Sequence, residues 1–263
     1  ANRGISTTVS VLEEYLQQSR FRNWSRYLEV LPLRKEDLIL DLGAGPGIVA
    51  NLFGEKVRRV LAIDRDPELL EYARSKAREN VKFLRGDIAE LDQLPMQPAS
   101  YDGIWASFMP AYFPDLTKEL RRWAKLLKPG GWIALVEVDD MFLGQEPLSD
   151  FAREGLLRFE KRLLKEGPYD FHMGAKLAPA LTAAGFRVEN ALQMPDDEFC
   201  FQGPASPAVR KAWEKRLLRL RTLVDTLSDD AARVRDEFLE CLSHPKHRSH
   251  ARVYYVWARL RED

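Results

Sequence analysis

Short, mostly apolar runs alternate along the chain with longer segments in which apolar residues recur at helical spacing. Residues 38–42 and 132–138 are typical of strands buried on both faces of a parallel sheet. Segments 67–79 and 115–127 combine charged residues with spaced apolar ones, as surface helices do. This alternation predicts an α/β protein with a doubly wound, Rossmann-like sheet.

The same pattern gives the order of the elements. One or two amphipathic helices are predicted within 5–30, and residues 199–201 belong either to the sixth strand or to one after a bend. A Lys-Pro-Gly-Gly turn at 128–131 ends a helix and precedes the fifth strand. The predicted strands are 38–42, 57–63, 81–84, 101–106, 132–138, a sixth that begins at 186, and 252–258. The later helices are 48–54, 67–79, 115–127, 151–166, 175–184 and two within 204–245.

Composition narrows the class of protein. Lysine plus arginine and aspartate plus glutamate number 40 each, and this zero net charge argues against nucleic acid as the main partner. No apolar run predicts a membrane span, and residues 1–10 lack the apolar core of a signal peptide. The cysteines Cys200 and Cys241 lack metal-ligand spacing. We therefore expect a cytoplasmic monomer or homodimer with no metal site.

A glycine-rich turn at 43–47 joins the first strand to the first helix. Glycines allow the backbone to turn sharply and to approach a ligand, and the free N–H groups of the next helix face that ligand. The spacing is Gly-x-Gly-x-Gly, which differs from the Gly-x-Gly-x-x-Gly of dinucleotide-binding dehydrogenases. The carboxylate just before the turn suits an ammonium group, which a pyrophosphate does not offer. The residues expected to bind cofactor here are Asp41, Gly43, Ala44, Gly45 and Gly47.

Asp64 ends the second strand, about twenty residues after the first glycine. A carboxylate at this place can accept hydrogen bonds from two vicinal ribose hydroxyls. The alternative is that Asp64 caps a helix, a role for which Asp66 is better placed because Pro67 follows it.

The motif at 40–47 resembles the first motif of the class I S-adenosylmethionine (SAM)-dependent methyltransferases, of the small-molecule, methyltransferase type 11-like kind. Asp64, Arg85-Gly86-Asp87-Ile88 and the Leu-Lys-Pro-Gly-Gly turn are similar to later motifs of that family. The resemblance covers 38–138 well and the chain ends loosely. It implies SAM as cofactor, S-adenosylhomocysteine as product, and a seven-stranded, mostly parallel sheet with an antiparallel last strand.

The resemblance also implies individual contacts with the cofactor. Asp87 would accept from the adenine amino group, the backbone of Ile88 would donate to the ring, and Arg65 would lie against it. The alternative for Asp87 is a turn or cap residue. Ser107 and Phe108 would flank the methionine moiety. In the family a leading helical segment often covers the pocket, so Tyr15, Arg20 and Arg22 either reach it or pack on the sheet edge.

Two segments lengthen the family pattern and are predicted to form a helical cap with a binding role. The expected organisation is 1–138 for the N-terminal helices and SAM-binding half, 139–172 for a cap insertion, 173–203 for a return to the sheet, 204–245 for a second helical insertion and 246–263 for the last strand.

His172 is the candidate general base, because imidazole titrates near neutral pH, and Asp170 could orient it. The alternative is a structural histidine. The cluster of His244, His247 and His250 is interpreted as a solvated loop. This chain has apolar and aromatic residues at positions where members of the resembled family have polar ones. These residues favour a methyl acceptor that is itself apolar or aromatic. The predicted acceptor contacts are Tyr112, Phe142, Tyr169, Phe171, His172 and Trp213.

Three functions remain open from the sequence. The first is methyl transfer to an oxygen or nitrogen of a small, partly apolar or aromatic metabolite, aided by positioning in a dry site. The second is methylation of RNA or protein, which the balanced charge and the lack of an Asn-Pro-Pro-Tyr-type segment disfavour. The third is a non-catalytic SAM-binding regulatory subunit.

Overall fold

The computed structural model describes residues 10–167 and 169–261, so the predictions on 1–9, Pro168 and 262–263 lie outside the described residues. The helices are α1 (Val11–Ser19), α2 (Trp24–Glu29), α3 (Ile48–Gly54), α4 (Pro67–Ser75), α5 (Leu116–Ala124), α6 (Asp150–Glu166), α7 (Leu177–Ala183), α8 (Pro207–Arg219), α9 (Arg221–Leu227) and α10 (Ala231–Ser243). The strands are β1 (Leu38–Leu42), β2 (Arg59–Asp64), β3 (Val81–Arg85), β4 (Tyr101–Ser107), β5 (Leu127–Asp139), β6 (Gln145–Glu146), β7 (Phe186–Met194), β8 (Arg248–Ser249) and β9 (Arg252–Leu260).

One 7-stranded sheet has the order β3-β2-β1-β4-β5-β9-β7. β1 pairs in parallel with β2 and β4, whereas β9 runs antiparallel to both β5 and β7. The predicted mostly parallel sheet with an antiparallel last strand is confirmed. The strand order reverses between β1 and β4, and such a switch point leaves a crevice at the carboxyl ends of the strands.

The central strand β1 is apolar because both of its faces are covered. Ile39, Leu40 and Leu42 are each 0% exposed. On one face Phe53 of α3 packs on Trp105 of β4, with ring centroids 5.6 Å apart. Burial on both faces fixes the end of β1, and hence the turn that follows it, relative to the neighbouring strands.

Several predicted boundaries are wrong, among them those of α4, of the fifth strand and of the segment 199–201. α4 ends at Ser75, four residues before the predicted end. The fifth strand begins at Leu127, which pairs with Tyr101, and a register shift follows this pair. The strand therefore continues through the residues predicted as a turn, where Gly130 has a φ of 70°. Residues 199–201 are in no strand, since Asp196 accepts backbone hydrogen bonds that fold this segment into a turn.

The helices α6, α8, α9 and α10 pack together beside the sheet. Their shared core is aromatic: Trp213 of α8 lies 5.2 Å from Phe238 of α10 and 5.6 Å from Phe142, measured between ring centroids. A second, 2-stranded sheet of β6 and β8 borders this layer. Within the described ranges, no helix has the length and apolar character needed to cross a bilayer.

Candidate functional site

The glycine turn between β1 and α3 has a left-handed backbone, with φ of 78° at Gly43, 52° at Gly45 and 77° at Gly47. A Cβ on Gly47 would lie 2.6 Å from Phe83 Cζ, whereas a Cβ on Gly45 would meet no atom within 4 Å. Packing therefore requires glycine at position 47. Gly45 presents its backbone to open space, where a ligand can approach closely.

Asp64, the last residue of β2, holds this turn from the neighbouring strand. Its Oδ2 accepts from Gly45 N at 2.7 Å, and its Oδ1 accepts from Asp66 N at 2.9 Å. Each oxygen keeps a second lone pair for a ligand hydroxyl. The N-cap of α4 is Asp66, which accepts from Glu68 N at 2.9 Å. Asp66 therefore caps the helix, and Asp64 is left beside the crevice.

A cavity of about 530 Å³ opens at the carboxyl edge of the sheet, a volume typical of small-molecule sites. The structure brings most of the predicted cofactor residues to its wall, although their contacts with a cofactor remain predictions. Those that line it are Gly43, Ala44, Gly45, Asp64, Arg65, Asp87, Ile88, Ser107 and Phe108.

The predicted adenine end of the cavity lies after β2 and β3. Asp87 lines the cavity and also accepts from Ala89 N at 2.9 Å, so it caps the turn that follows. Arg65 Nη1 lies 3.8 Å from Asp87 Oδ2, and both side chains are well exposed. Asp87 therefore caps the turn, which is the alternative that the sequence left open for it. Its position in the cavity wall also leaves it available to a ligand.

Asp41 is buried near the turn and does not line the cavity, in contrast to the prediction. Its side chain is 2% exposed, and its Oδ2 has no hydrogen-bond partner among the described residues. Burial, with a smaller contribution from Asp64, raises the pKa of Asp41 to about 8. A cationic ligand group nearby would favour the ionised carboxylate, so the orphaned oxygen fits the ammonium end of SAM.

We expect Asp41 and Glu137 to make the stability of the free protein fall as the pH rises from about 4 to about 8. Burial raises their pKa values from 3.8 and 4.5 to about 8. Between those limits the folded state holds protons that the unfolded state has released, so the free energy of unfolding decreases with pH. This contribution is complete below the unfolded pKa values and is lost as the pH passes the folded ones.

Urea unfolding across this pH range, for wild type and Glu137→Gln, measures the effect. The amide does not titrate, so the stability of the variant relative to wild type should increase with pH. If the free energies of unfolding of the two proteins differ by the same amount at every pH, the assigned pKa shift of Glu137 is wrong.

The far side of the cavity has aromatic and cationic walls. Tyr112 and Tyr169 line it as predicted, with ring centroids 4.9 Å apart in an edge-to-face arrangement. Tyr15 and Arg22 also line it, whereas Arg20 does not. The leading helical segment therefore covers the cavity.

Sequence reasoning missed Arg216 and Arg219, which α8 brings to the same wall. The two residues lie three apart on the helix and so share a face. Their chain position gave no signal of the cavity, because only the packing of α8 against the sheet places them there. The spacing of the two arginines beside the apolar stripe of α8 was the one available hint.

Three predicted acceptor contacts are corrected by the structure. Phe142 and Trp213 are 0% exposed and Phe171 is 5% exposed, and none of the three lines the cavity. Phe142 packs against both of the others, with ring centroids 5.4 Å and 5.6 Å away. These side chains form the core of the helical layer, since large aromatic side chains gain most from complete burial.

His172 does not line the cavity either, so it is not placed to act as the base there. Its Nε2 lies 3.3 Å from Glu160 Oε2 of α6, and the proximity of this carboxylate raises the pKa of His172. Asp170 does not orient the imidazole. It accepts from the backbone N of His172 at 2.9 Å and pairs with Lys176 at 2.5 Å. This arrangement is that of a structural histidine.

The other histidine cluster is only partly solvated, which corrects the interpretation as a solvated loop. His247 is 1% exposed and stacks on Phe201 at 4.4 Å between ring centroids. Its ring nitrogens lie 3.0 Å from Gly203 O and 2.9 Å from Gln145 Oε1. Among the residues that the structure describes, no group of three or more histidine, cysteine or acidic side chains could hold a metal ion.

The switch-point crevice, the glycine turn and the carboxylate of Asp64 are features of the doubly wound α/β class, in which nucleotides bind at the switch point. Residues 40–135 match the family described as "Methyltransferase domain". The chain is 32% identical over 121 residues to the uncharacterized methyltransferase YcgJ of Bacillus subtilis, over 44% of this chain and 46% of that protein. It is 31% identical over 160 residues to a ubiquinone biosynthesis O-methyltransferase of Xanthomonas euvesicatoria, over 59% of this chain and 65% of that protein.

Solved structures share the fold. The YcgJ structure from Bacillus subtilis has a TM-score of 0.59 at 20% identity, covering 91% of this chain and 98% of that one. A SAM-dependent methyltransferase from Mesorhizobium loti has a TM-score of 0.53 at 22% identity, covering 90% of this chain and 96% of that one. The chain is therefore similar to methyltransferases over residues 40–135, and it shares the fold of a solved SAM-dependent methyltransferase.

Proposed function

We propose that this protein transfers a methyl group from SAM to an oxygen of a small, partly aromatic metabolite. The observation that carries the proposal is one cavity whose two ends differ: a glycine turn with Asp64 at one end, and tyrosine and arginine side chains at the other. The relative named a ubiquinone biosynthesis O-methyltransferase supports oxygen over nitrogen. The chain aligns with 65% of that relative and 46% of YcgJ, so activity and substrate are both part of the proposal.

The residues of the first end would hold the cofactor, which when bound supplies a methyl group activated on a sulfonium. Asp64 accepts from the ribose hydroxyls, and the backbone at Gly45 allows close approach. Asp87 and Ile88 border the adenine. Asp41 lies buried near the turn and would act on the ammonium group through its charge rather than by direct contact. The role of these residues would be to bind and orient the cofactor.

The second end would position the acceptor. Tyr112 and Tyr169 provide an aromatic wall, and Phe108 and Met141 provide apolar surface. Bound SAM would supply the methyl group to the acceptor oxygen, with the sulfur leaving as the thioether of S-adenosylhomocysteine and the proton of that oxygen released to solvent. No histidine lines the cavity within the described ranges, so the rate gain comes mainly from proximity and exclusion of water.

We also propose that segments 139–172 and 204–245 act as a cap over this end, and that 173–203 and 246–263 complete the sheet. Arg216 and Arg219 from the second segment line the cavity, which supports a binding role for it. The free cysteines Cys200 and Cys241 fit the proposed cytoplasmic setting. A small-molecule acceptor and a monomeric or homodimeric state complete the proposal.

Mass spectrometry of reactions with SAM and a series of phenols, catechols and amines tests the activity. We expect a methylated product and an equal amount of S-adenosylhomocysteine, with phenolic hydroxyls preferred. Asp64→Ala should abolish turnover, and Glu68→Ala, an exposed change on the first turn of α4, should not. Cofactor binding without product from any acceptor would support the non-catalytic alternative.

A further inference from the structure

Four arginines line the cavity, and two of them, Arg22 and Arg219, are occupied by protein groups. A third, Arg65, lies near Asp87. Arg22 contacts Asp196 at 2.7 Å, Glu198 at 2.7 Å and the backbone O of Gln18 at 2.8 Å. With three partners, its guanidinium is held in place by the protein.

Arg219 is similarly engaged by Glu14, which accepts from its Nε at 2.6 Å and from its Nη2 at 3.1 Å. Arg216 is different. Its Nη2 donates to Glu198, but none of the described residues accepts a hydrogen bond from its Nη1, and Arg216 lines the cavity. A charged donor in the cavity wall without a protein acceptor can donate to a ligand oxygen, and hydrogen bonds to charged groups are among the stronger ones.

The guanidinium of Arg216 is fixed in position before a ligand arrives. Its central carbon lies 5.1 Å from the ring centroid of Phe199 and 5.1 Å from that of Trp213. Its side chain is 14% exposed, and Arg216 and Phe199 both line the cavity. A planar guanidinium held between rings suits a carboxylate, because the two groups match in geometry and form paired hydrogen bonds.

Two hydroxyls join Arg216 in the same wall. Burial raises the pKa of Tyr112 and of Tyr169, so both phenols keep their protons at neutral pH and can donate. The carboxylates of Asp196 and Glu198 are paired with Arg22 and Arg216. Glu137, which acts on both phenols, keeps its proton at neutral pH because burial raises its pKa to about 8. An anionic ligand therefore meets donors and no surplus of negative charge.

We propose that Arg216, with Tyr112 and Tyr169, binds a carboxylate of the acceptor, and that the acceptor is an aromatic carboxylic acid bearing the hydroxyl that is methylated. The inference rests on the proposed function and names its substrate class. The aromatic wall would contact the ring of the acceptor, and Arg216 would bind its carboxylate.

Calorimetric titration at saturating S-adenosylhomocysteine tests the subsite with 3,4-dihydroxybenzoate and its amide, 3,4-dihydroxybenzamide. We expect the acid to bind wild type at least about tenfold more tightly than the amide, the range of a charged hydrogen bond. Arg216→Lys keeps the charge beside Glu198 but removes the planar donor, so the preference should fall to about twofold. Lys211→Gln, an exposed charge loss on the same helix, should leave the preference unchanged.

Equal affinity of wild type for acid and amide, or binding of neither, would overturn the proposal. A second arm identifies the source of the carboxylate, because 5′-methylthioadenosine lacks the amino-acid end of the cofactor. If Arg216→Lys weakens S-adenosylhomocysteine tenfold but spares 5′-methylthioadenosine, the arginine serves the cofactor and the acceptor assignment is wrong. If wild type does not bind S-adenosylhomocysteine at all, the proposed function itself is wrong.

Discussion

Replacing Asp64 with alanine is expected to weaken SAM binding by about 100-fold or more. The carboxylate is positioned by Gly45 N at 2.7 Å and Asp66 N at 2.9 Å, and it would accept from both ribose hydroxyls. Each hydrogen bond to a charged group contributes about 1.5–3 kcal/mol, and two lost bonds give the stated factor. Isothermal titration calorimetry of wild type and variant measures it directly.

Two further variants separate loss of contact from loss of structure. Asp64→Asn keeps one acceptor oxygen, so its affinity should lie between those of wild type and Asp64→Ala. Glu68→Ala alters an exposed acidic residue of the same strand–helix junction and should bind as wild type does. If Asp64→Ala, still folded by circular dichroism, binds SAM within a few-fold of wild type, the ribose assignment is incorrect.

Replacing Arg22 with methionine is expected to lower the free energy of unfolding by about 3–5 kcal/mol. The change removes the cation that two buried carboxylates share, Asp196 at 3% exposure and Glu198 at 0%. Arg216 still contacts Glu198, but the carboxylate of Asp196 keeps only its backbone donors. Urea unfolding at neutral pH measures the loss.

The pH dependence of this loss distinguishes lost charge pairing from lost packing. At acidic pH the unpaired carboxyl groups can protonate, so the variant should recover part of the difference from wild type. Arg78→Met, which breaks the exposed pair with Glu55, should cost less than about 1 kcal/mol. A loss for Arg22→Met no larger than that for Arg78→Met would show that the buried cluster does not stabilise the fold.

The strand, turn and helix around Gly45 were predictable because their signals are local. Where the backbone of the turn has a positive φ, it requires glycine at that position. The position of Asp64 follows from its short, fixed spacing to the turn. The sheet places successive strand ends along one edge, so Asp87 also arrives at the cavity. Local backbone chemistry and sheet topology together determine this half of the site.

The other half depends on tertiary packing that the sequence does not reveal. Trp213 and Arg216 lie one helical turn apart on α8, yet the first enters the aromatic core and the second lines the cavity. His172 stands near Asp170 in sequence, but its imidazole turns to Glu160 on another helix. An aromatic or a histidine in an insertion can serve a site or a core, and only the packing of that insertion decides which.

Calorimetric titration of the wild-type protein with SAM and with S-adenosylhomocysteine shows whether the cavity above the glycine turn binds this cofactor. We expect one site per chain for both compounds, with micromolar or tighter affinity, and no competition from NAD. An absence of binding by both compounds, or binding of NAD in their place, would contradict the assignment of the glycine turn and of the cavity above it.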